Sequence, residues 1–207
     1  MPQGHNPMAP CDSHKKLLPV ICQRYSSKLY DPEKLLDTET MLTLFEAARW
    51  APSSGNGQPW RYIFFPKAEP ELFARGLACL NDNNRIWARH ASLLILAIAQ
   101  EIRSNGKFNS KALHDLGLAN QNLLLQAIHL GLHCRPMGGF NAEMAIADFS
   151  IPEGYRPVAM IAVGYPGRAK DLPDEVVADE KIERTRNDIH DFVFAGTWGT
   201  CLTNNAS

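Results

Sequence analysis

Residues 46–62 read EAARWAPSSGNGQPWRY. The stretch opens with helix-forming residues, stops at Pro52, and crosses a small-polar loop to Pro59-Trp60. It then enters an apolar strand from Tyr62 to Phe65. The residue before a proline avoids the helical region, so the helix ends before Pro52. A loop of Ser, Gly, Asn and Gln between two prolines has many backbone N–H groups and little side-chain bulk. It can lie close against a polar, planar or phosphorylated ligand. It also reads as an ordinary helix-to-strand connection, and the rest of the chain decides between the two.

Outward from this stretch, helical and extended patterns alternate. Residues 14–30 suggest a helix followed by a polar turn. Asp37 is a fair N-cap for a helix over 38–50, whose apolar side carries Met41, Leu44, Phe45 and Ala48. Residues 69–90 read as a helix in two pieces around an Asn81–Asn84 turn. Ser92–Ala99 is continuously apolar, as a strand buried on both faces would be. Residues 111–132 form the longest helical pattern, with Gly131 as its stop. A loop (134–140), a short helix (141–148) and a buried strand (157–165) follow. Residues 166–191 are charged and rich in Pro and Gly. After them Phe192-Val193-Phe194 reads as a short strand with no evident place in its own chain, suited to a partner subunit or a sheet edge.

At 207 residues the chain is long enough to bury a core as one domain. A net charge of −1 gives no electrostatic footprint for nucleic acid or an anionic membrane. The longest apolar run, Ala91–Ala99, falls short of the ~18 residues a membrane helix needs. The N-terminal tail has no apolar signal-peptide core. The cysteines are odd in number and scattered, which argues for reduced thiols in a cytoplasmic protein. No Walker loop, nucleophile elbow or complete dinucleotide fingerprint is present, since Trp60 stands where the third glycine would be. His129 and His133 have helical metal-pair spacing, but Gly131 lies between them and no further ligand is near. No metal site is expected.

Two other groups carry chemistry. Arg24, Ser26 and Lys28 alternate, so an extended backbone puts two cations and a hydroxyl on one face, a plausible anion site or a solvated basic turn. Gly138 and Gly139 follow Pro136 and Met137 and expose backbone N–H groups with no side chain in the way, or else form a simple turn.

With these pieces in order, the chain resembles the nitroreductase family of FMN-dependent oxidoreductases. The resemblance rests on Arg24-Tyr25-Ser26-Ser27-Lys28, on Ala48 to Trp60 (ARWAPSSGNGQPW), on Gly131-Leu132 with Pro136–Phe140, and on Val163–Pro166 followed by Arg184 and Arg186. It implies an α+β sandwich with an antiparallel-rich central sheet flanked by helices, forming an intertwined homodimer with flavin at the interface. Residues 1–18 would be a flexible tail and 19–200 one FMN-binding domain, with 166–200 as an extension packing on the partner subunit. It implies that Arg24, Ser26 and Lys28 contact the FMN phosphate and ring edge. Pro52, Ser53, Ser54, Asn56 and Gln58 would reach the flavin of the other subunit. The Pro136, Met137, Gly138 and Gly139 segment would lie at the flavin N5 and O4 region, and Arg184 and Arg186 would hold the phosphate. No side chain is expected to be catalytic, because flavin N5 carries the hydride from NADH or NADPH to a small acceptor such as a nitroaromatic, a quinone or an enone. Other flavin chemistry (reductive dehalogenation, flavin cleavage) and a non-catalytic flavin-binding or sensing dimer stand as alternatives. Gly138 departs from the family pattern, which often has Glu there, and opens space above the ring.

Overall fold

The computed structural model describes residues 16–168 and 172–200, so most of the N-terminal tail lies outside the described residues. Its elements are α1 (Pro19–Gln23), α2 (Thr38–Arg49), β1 (Trp60–Pro66), α3 (Pro70–Ala78), α4 (Asp82–Ala88), β2 (Leu93–Gln100), α5 (Ala112–His129), β3 (His133–Met137), α6 (Ala142–Asp148), β4 (Tyr155–Gly164) and α7 (Asp174–Asp179).

The four strands form one antiparallel sheet in the order β1-β2-β4-β3. The apolar run of β2 explains its central place. Side chains alternate along a strand, so Leu93, Ile95, Ala97 and Ala99 face one way while Leu94, Leu96 and Ile98 face the other. The first set packs with α2 (Met41, Leu44, Ala48) and α5 (Leu116, Ala119, Leu123, Ala127). The second packs with Phe73 of α3, Trp87 and Ala88 of α4, and Ala145 of α6. The result is a helix–sheet–helix sandwich of the expected α+β class.

Several local expectations hold for visible physical reasons. The Asp37 carboxylate accepts the Thr40 N–H at 2.6 Å and starts α2. Gly131, at φ 73°, turns the chain out of α5 through a left-handed residue. Others need correction. Asn81 is a cap rather than part of a turn: its side-chain oxygen accepts the Asn84 N–H at 3.0 Å and starts α4. Residues 134–137, read as the start of a loop, belong to β3 (His133–Met137). Pro136 is tolerated there because β3 is an edge strand, where a missing N–H costs no ladder bond. Pro157 sits in an interior strand, but at the register shift between β2 and β4 and beyond the last β3 pair, Met137 with Met160. Phe192–Phe194 is not a strand in the chain; a 3-10 turn (Ile189–Asp191) precedes it, and Phe192 is 63% exposed. The charged stretch instead contains α7, which the sequence pattern did not reveal. Cys79 and Cys134 are free, buried thiols. Among the described residues no helix is long and apolar enough to cross a membrane.

Candidate functional site

The segment after α1 carries Arg24, Ser26 and Lys28. Arg24 Nη1 donates to Ser26 Oγ at 3.0 Å, so two of the three sequence-predicted residues share one polar surface. Arg184 joins them from the far end of the chain, donating to the Cys22 carbonyl at 2.8 Å and to the Arg24 carbonyl. Burial, with the neighbouring charges of Arg186 and Arg24, pushes the Arg184 guanidinium below its ordinary pKa. Among the described residues, none of Arg24, Arg184 and Arg186 forms a salt bridge with a carboxylate. Arginines gathered with no carboxylate paired to them make a surface that attracts an anion.

Three residues the sequence did not single out belong to this cluster. Arg135 on β3 donates to the Ser26 carbonyl, and its guanidinium lies 5.4 Å from the Trp87 ring centre. Glu180, just past α7, accepts from Ser27 Oγ at 2.8 Å and from the Lys28 N–H at 2.6 Å. Asp179 pairs with the Lys28 ammonium. The signal for Arg135 was its place one residue before an edge-strand proline. The two acids had none, because they lie about 150 residues from their partners.

β3 leads from Arg135 through Pro136 and Met137 to Gly138 and Gly139. Among the described residues, neither the Gly138 nor the Gly139 N–H donates to a protein acceptor. A Cβ at Gly138 would meet nothing within 4 Å. The Gly139 carbonyl is held from the other side, by the Asn81 N–H and Asn84 Nδ2, both at 3.1 Å. Two unspent donors, with open space at Gly138 and a few residues along the edge strand from the arginines, fit a flat ligand with acceptors at its rim and an anionic tail. FMN has that chemistry.

The Pro52–Gln58 loop has a different character. Its backbone N–H groups are largely spent internally: Asn56 on the Ser53 carbonyl, Gly57 on the Ser54 carbonyl, and Gln58 on Ser53 Oγ. The Ser54 N–H reaches Asp115 Oδ2 at 3.0 Å. Asp115 is 2% exposed, lies in the first turn of α5, and was not singled out by the sequence. Gly55, Asn56 and Gln58 all have positive φ. Strained non-glycine residues held by several pins present their side chains in a fixed array. This loop therefore offers side chains more than backbone donors.

The structure brings Arg24, Ser26, Lys28, Arg184 and the 136–139 segment to the β3 side of the sheet. It does not bring the Pro52–Gln58 loop to them. That loop precedes β1, at the opposite edge, with β2 and β4 between and strands about 5 Å apart. Arg186 donates to the Thr185 carbonyl and stays at the rim of the arginine cluster. His133 is in β3 with its Nδ1 2.9 Å from the Leu29 carbonyl, while His129 ends α5.

Comparison with known proteins agrees with this arrangement. A model of the nitroreductase family matches residues 21–165. The chain is 27% identical over 191 residues to an oxygen-insensitive NAD(P)H nitroreductase of Salmonella typhimurium, covering 72% of this chain and 88% of that protein. It is 30% identical over 184 residues to the protein DrgA of Synechocystis, covering 74% and 85% of the two. A crystal structure of an oxidoreductase containing FMN superposes with a TM-score of 0.84 at 30% identity, covering 91% of this chain and 96% of that one. With the sheet order, the arginine cluster and the glycine pair in place, the chain belongs to the nitroreductase family.

Proposed function

We propose that this NAD(P)H-dependent, FMN-using oxidoreductase passes hydride to a small acceptor such as a nitroaromatic, a quinone or an enone, working as a cytoplasmic homodimer with residues 19–200 as its single domain. The observation that carries the reading is the Arg24–Arg184–Arg186 cluster, with no carboxylate paired to these arginines among the described residues, beside the unspent Gly138 and Gly139 N–H groups. FMN, when bound, supplies the redox chemistry by accepting hydride at N5 from NADH or NADPH and passing it on. The chain's own residues bind and orient. Arg24, Ser26, Arg184 and Arg186 hold the phosphate. Lys28 faces the pyrimidine end, where its charge favours the reduced state. Gly138 and Gly139 donate to the ring rim, with Pro136 and Met137 lining the approach. Pro52, Ser53, Ser54, Asn56 and Gln58 complete the partner subunit's site, a role supported by their place on the opposite sheet edge. The opening at Gly138 leaves room for a bulky acceptor. Exposed apolar side chains, including Trp198 at 90% and Trp50 at 74%, suit burial against a second copy.

The test is the spectrum of the purified protein. Flavin absorbance that NADPH bleaches anaerobically, and that a quinone or nitroaromatic restores, supports the proposal. A colourless protein that takes up no added FMN overturns it.

A further inference from the structure

Lys28 does not stand alone. Its ammonium is 2.5 Å from Asp179 Oδ2, and its side chain is only 15% exposed, whereas that of Asp179 is 54% exposed. The backbone beneath it is fixed as well. Glu180 accepts the Lys28 N–H and the hydroxyl of Ser27, which is 1% exposed. Lys28 thus has little freedom to leave its carboxylate, and water screens the pair poorly on the lysine side. Lys28 holds the Asp179 carboxyl below the usual carboxylate range, with a smaller effect from Arg135.

A carboxylate this close holds the ammonium to itself and limits how closely it can approach a bound ligand. We propose that Asp179 is a tuning residue that acts through Lys28: it holds the ammonium back from the ring and so lowers the midpoint potential of the FMN bound beside it. The inference rests on the FMN reading above and on Lys28 facing the ring. FMN gains negative charge on reduction, and a Lys28 free to approach the ring stabilises that charge more than one held at Asp179. Asp179 thereby sets how readily the loaded protein gives up electrons, and so which acceptors it can reduce. Asp179 is half exposed at the end of a short helix, so its replacement leaves the core untouched.

The experiment measures the FMN midpoint potential, with cofactor saturating, in the full-length protein and in Asp179→Asn, Asp179→Glu, Lys28→Gln and the Lys28→Gln/Asp179→Asn double variant. The expected result for Asp179→Asn is a preference for reduced over oxidised FMN about tenfold stronger than wild type, which is about 30 mV more positive for a two-electron couple. Asp179→Glu keeps the carboxylate and stays near wild type. In the Lys28→Gln background the Asp179→Asn effect disappears, as a cycle through one shared partner requires. An unchanged potential in Asp179→Asn with FMN bound overturns the inference. So does an equal shift without Lys28, or a shift in Asp179→Glu matching that in Asp179→Asn. A wild-type protein that binds no FMN fails at the earlier step and overturns the functional reading along with this one.

Discussion

Replacing Asp115 by alanine releases the loop between α2 and β1 from its deepest pin. The carboxylate is 2% exposed and its Oδ2 accepts the Ser54 N–H at 3.0 Å, while Oδ1 lies 3.1 Å from His114 Nδ1. A hydrogen bond to a charged group contributes about 1.5–3 kcal/mol. Ser54 itself is exposed, so water replaces the lost acceptor once the loop loosens. That puts the net loss toward the lower end, at about 1–2 kcal/mol. The same free energy holds Asn56 and Gln58 at φ 53° and 45°, where side chains rarely sit. Freed from Asp115, the loop relaxes toward ordinary backbone angles and its side chains lose their array. If the loop completes a cofactor site, FMN affinity falls by the same 1–2 kcal/mol, or about 5- to 30-fold. The urea midpoint falls with it, and Tm drops by roughly 2–8 °C for a chain of this size. Asp115→Asn keeps an acceptor and stays within about threefold of wild type in affinity. Fluorescence titration of FMN and equilibrium urea unfolding measure the two effects. Wild-type affinity and an unchanged urea midpoint in Asp115→Ala would refute the reasoning.

Other outcomes follow from the same contacts. Arg184→Ala weakens FMN binding by about 10- to 100-fold, the share of one charge-assisted pair, while binding of riboflavin, which lacks the phosphate, changes little; calorimetry with both ligands distinguishes them, and equal losses would remove the phosphate role. Gly139→Ala puts a Cβ 2.4 Å from Asn81 Nδ2 and 2.8 Å from Asn84 Nδ2, and so disturbs the α4 cap. It costs about 1–2 kcal/mol in denaturant unfolding, whereas Gly138→Ala, with nothing within 4 Å, leaves the midpoint in place. Burial raises the Cys134 thiol from 9.0 to about 12. Because the folded state holds that proton more tightly than the unfolded one, this group's contribution to stability is full below the ordinary thiol range and is lost as pH rises from 9.0 toward about 12. Urea midpoints of wild type and Cys134→Ser across that range should converge, and parallel curves would count against the shift.

The parts of the molecule that were legible in the sequence are those in which the deciding interaction is local. The Asp37 cap, the Pro52 stop and the left-handed Gly131 each act within a few residues. The period of β2 needs only the two faces of one strand. β3 escaped because its residues, HCRPM, show neither alternation nor an apolar run. Its strand character comes from β4 alongside it. α7 escaped because six residues in a charged stretch carry no apolar stripe, and it gains only Val176 as a buried anchor. The Pro52–Gln58 loop reads in the sequence as a source of free backbone donors, an expectation that its own hydrogen bonds correct. Its N–H groups are largely consumed in holding its own shape.

The sequence by itself determined that β2 is buried on both faces and which residue types suit an anion and a flat ring, since hydrophobic period, caps and turn chemistry are short-range properties; it gave the sandwich only through the resemblance to a family. Only the tertiary structure decided which of those residues meet. It placed Arg184 on the Arg24 carbonyl across 160 residues of chain and set Asp179 against Lys28 across 151. It also left the Pro52–Gln58 loop on the far edge of the sheet from both. No local pattern encodes those distances, because they follow from strand order and from how the segment after β4 returns over the one before α2.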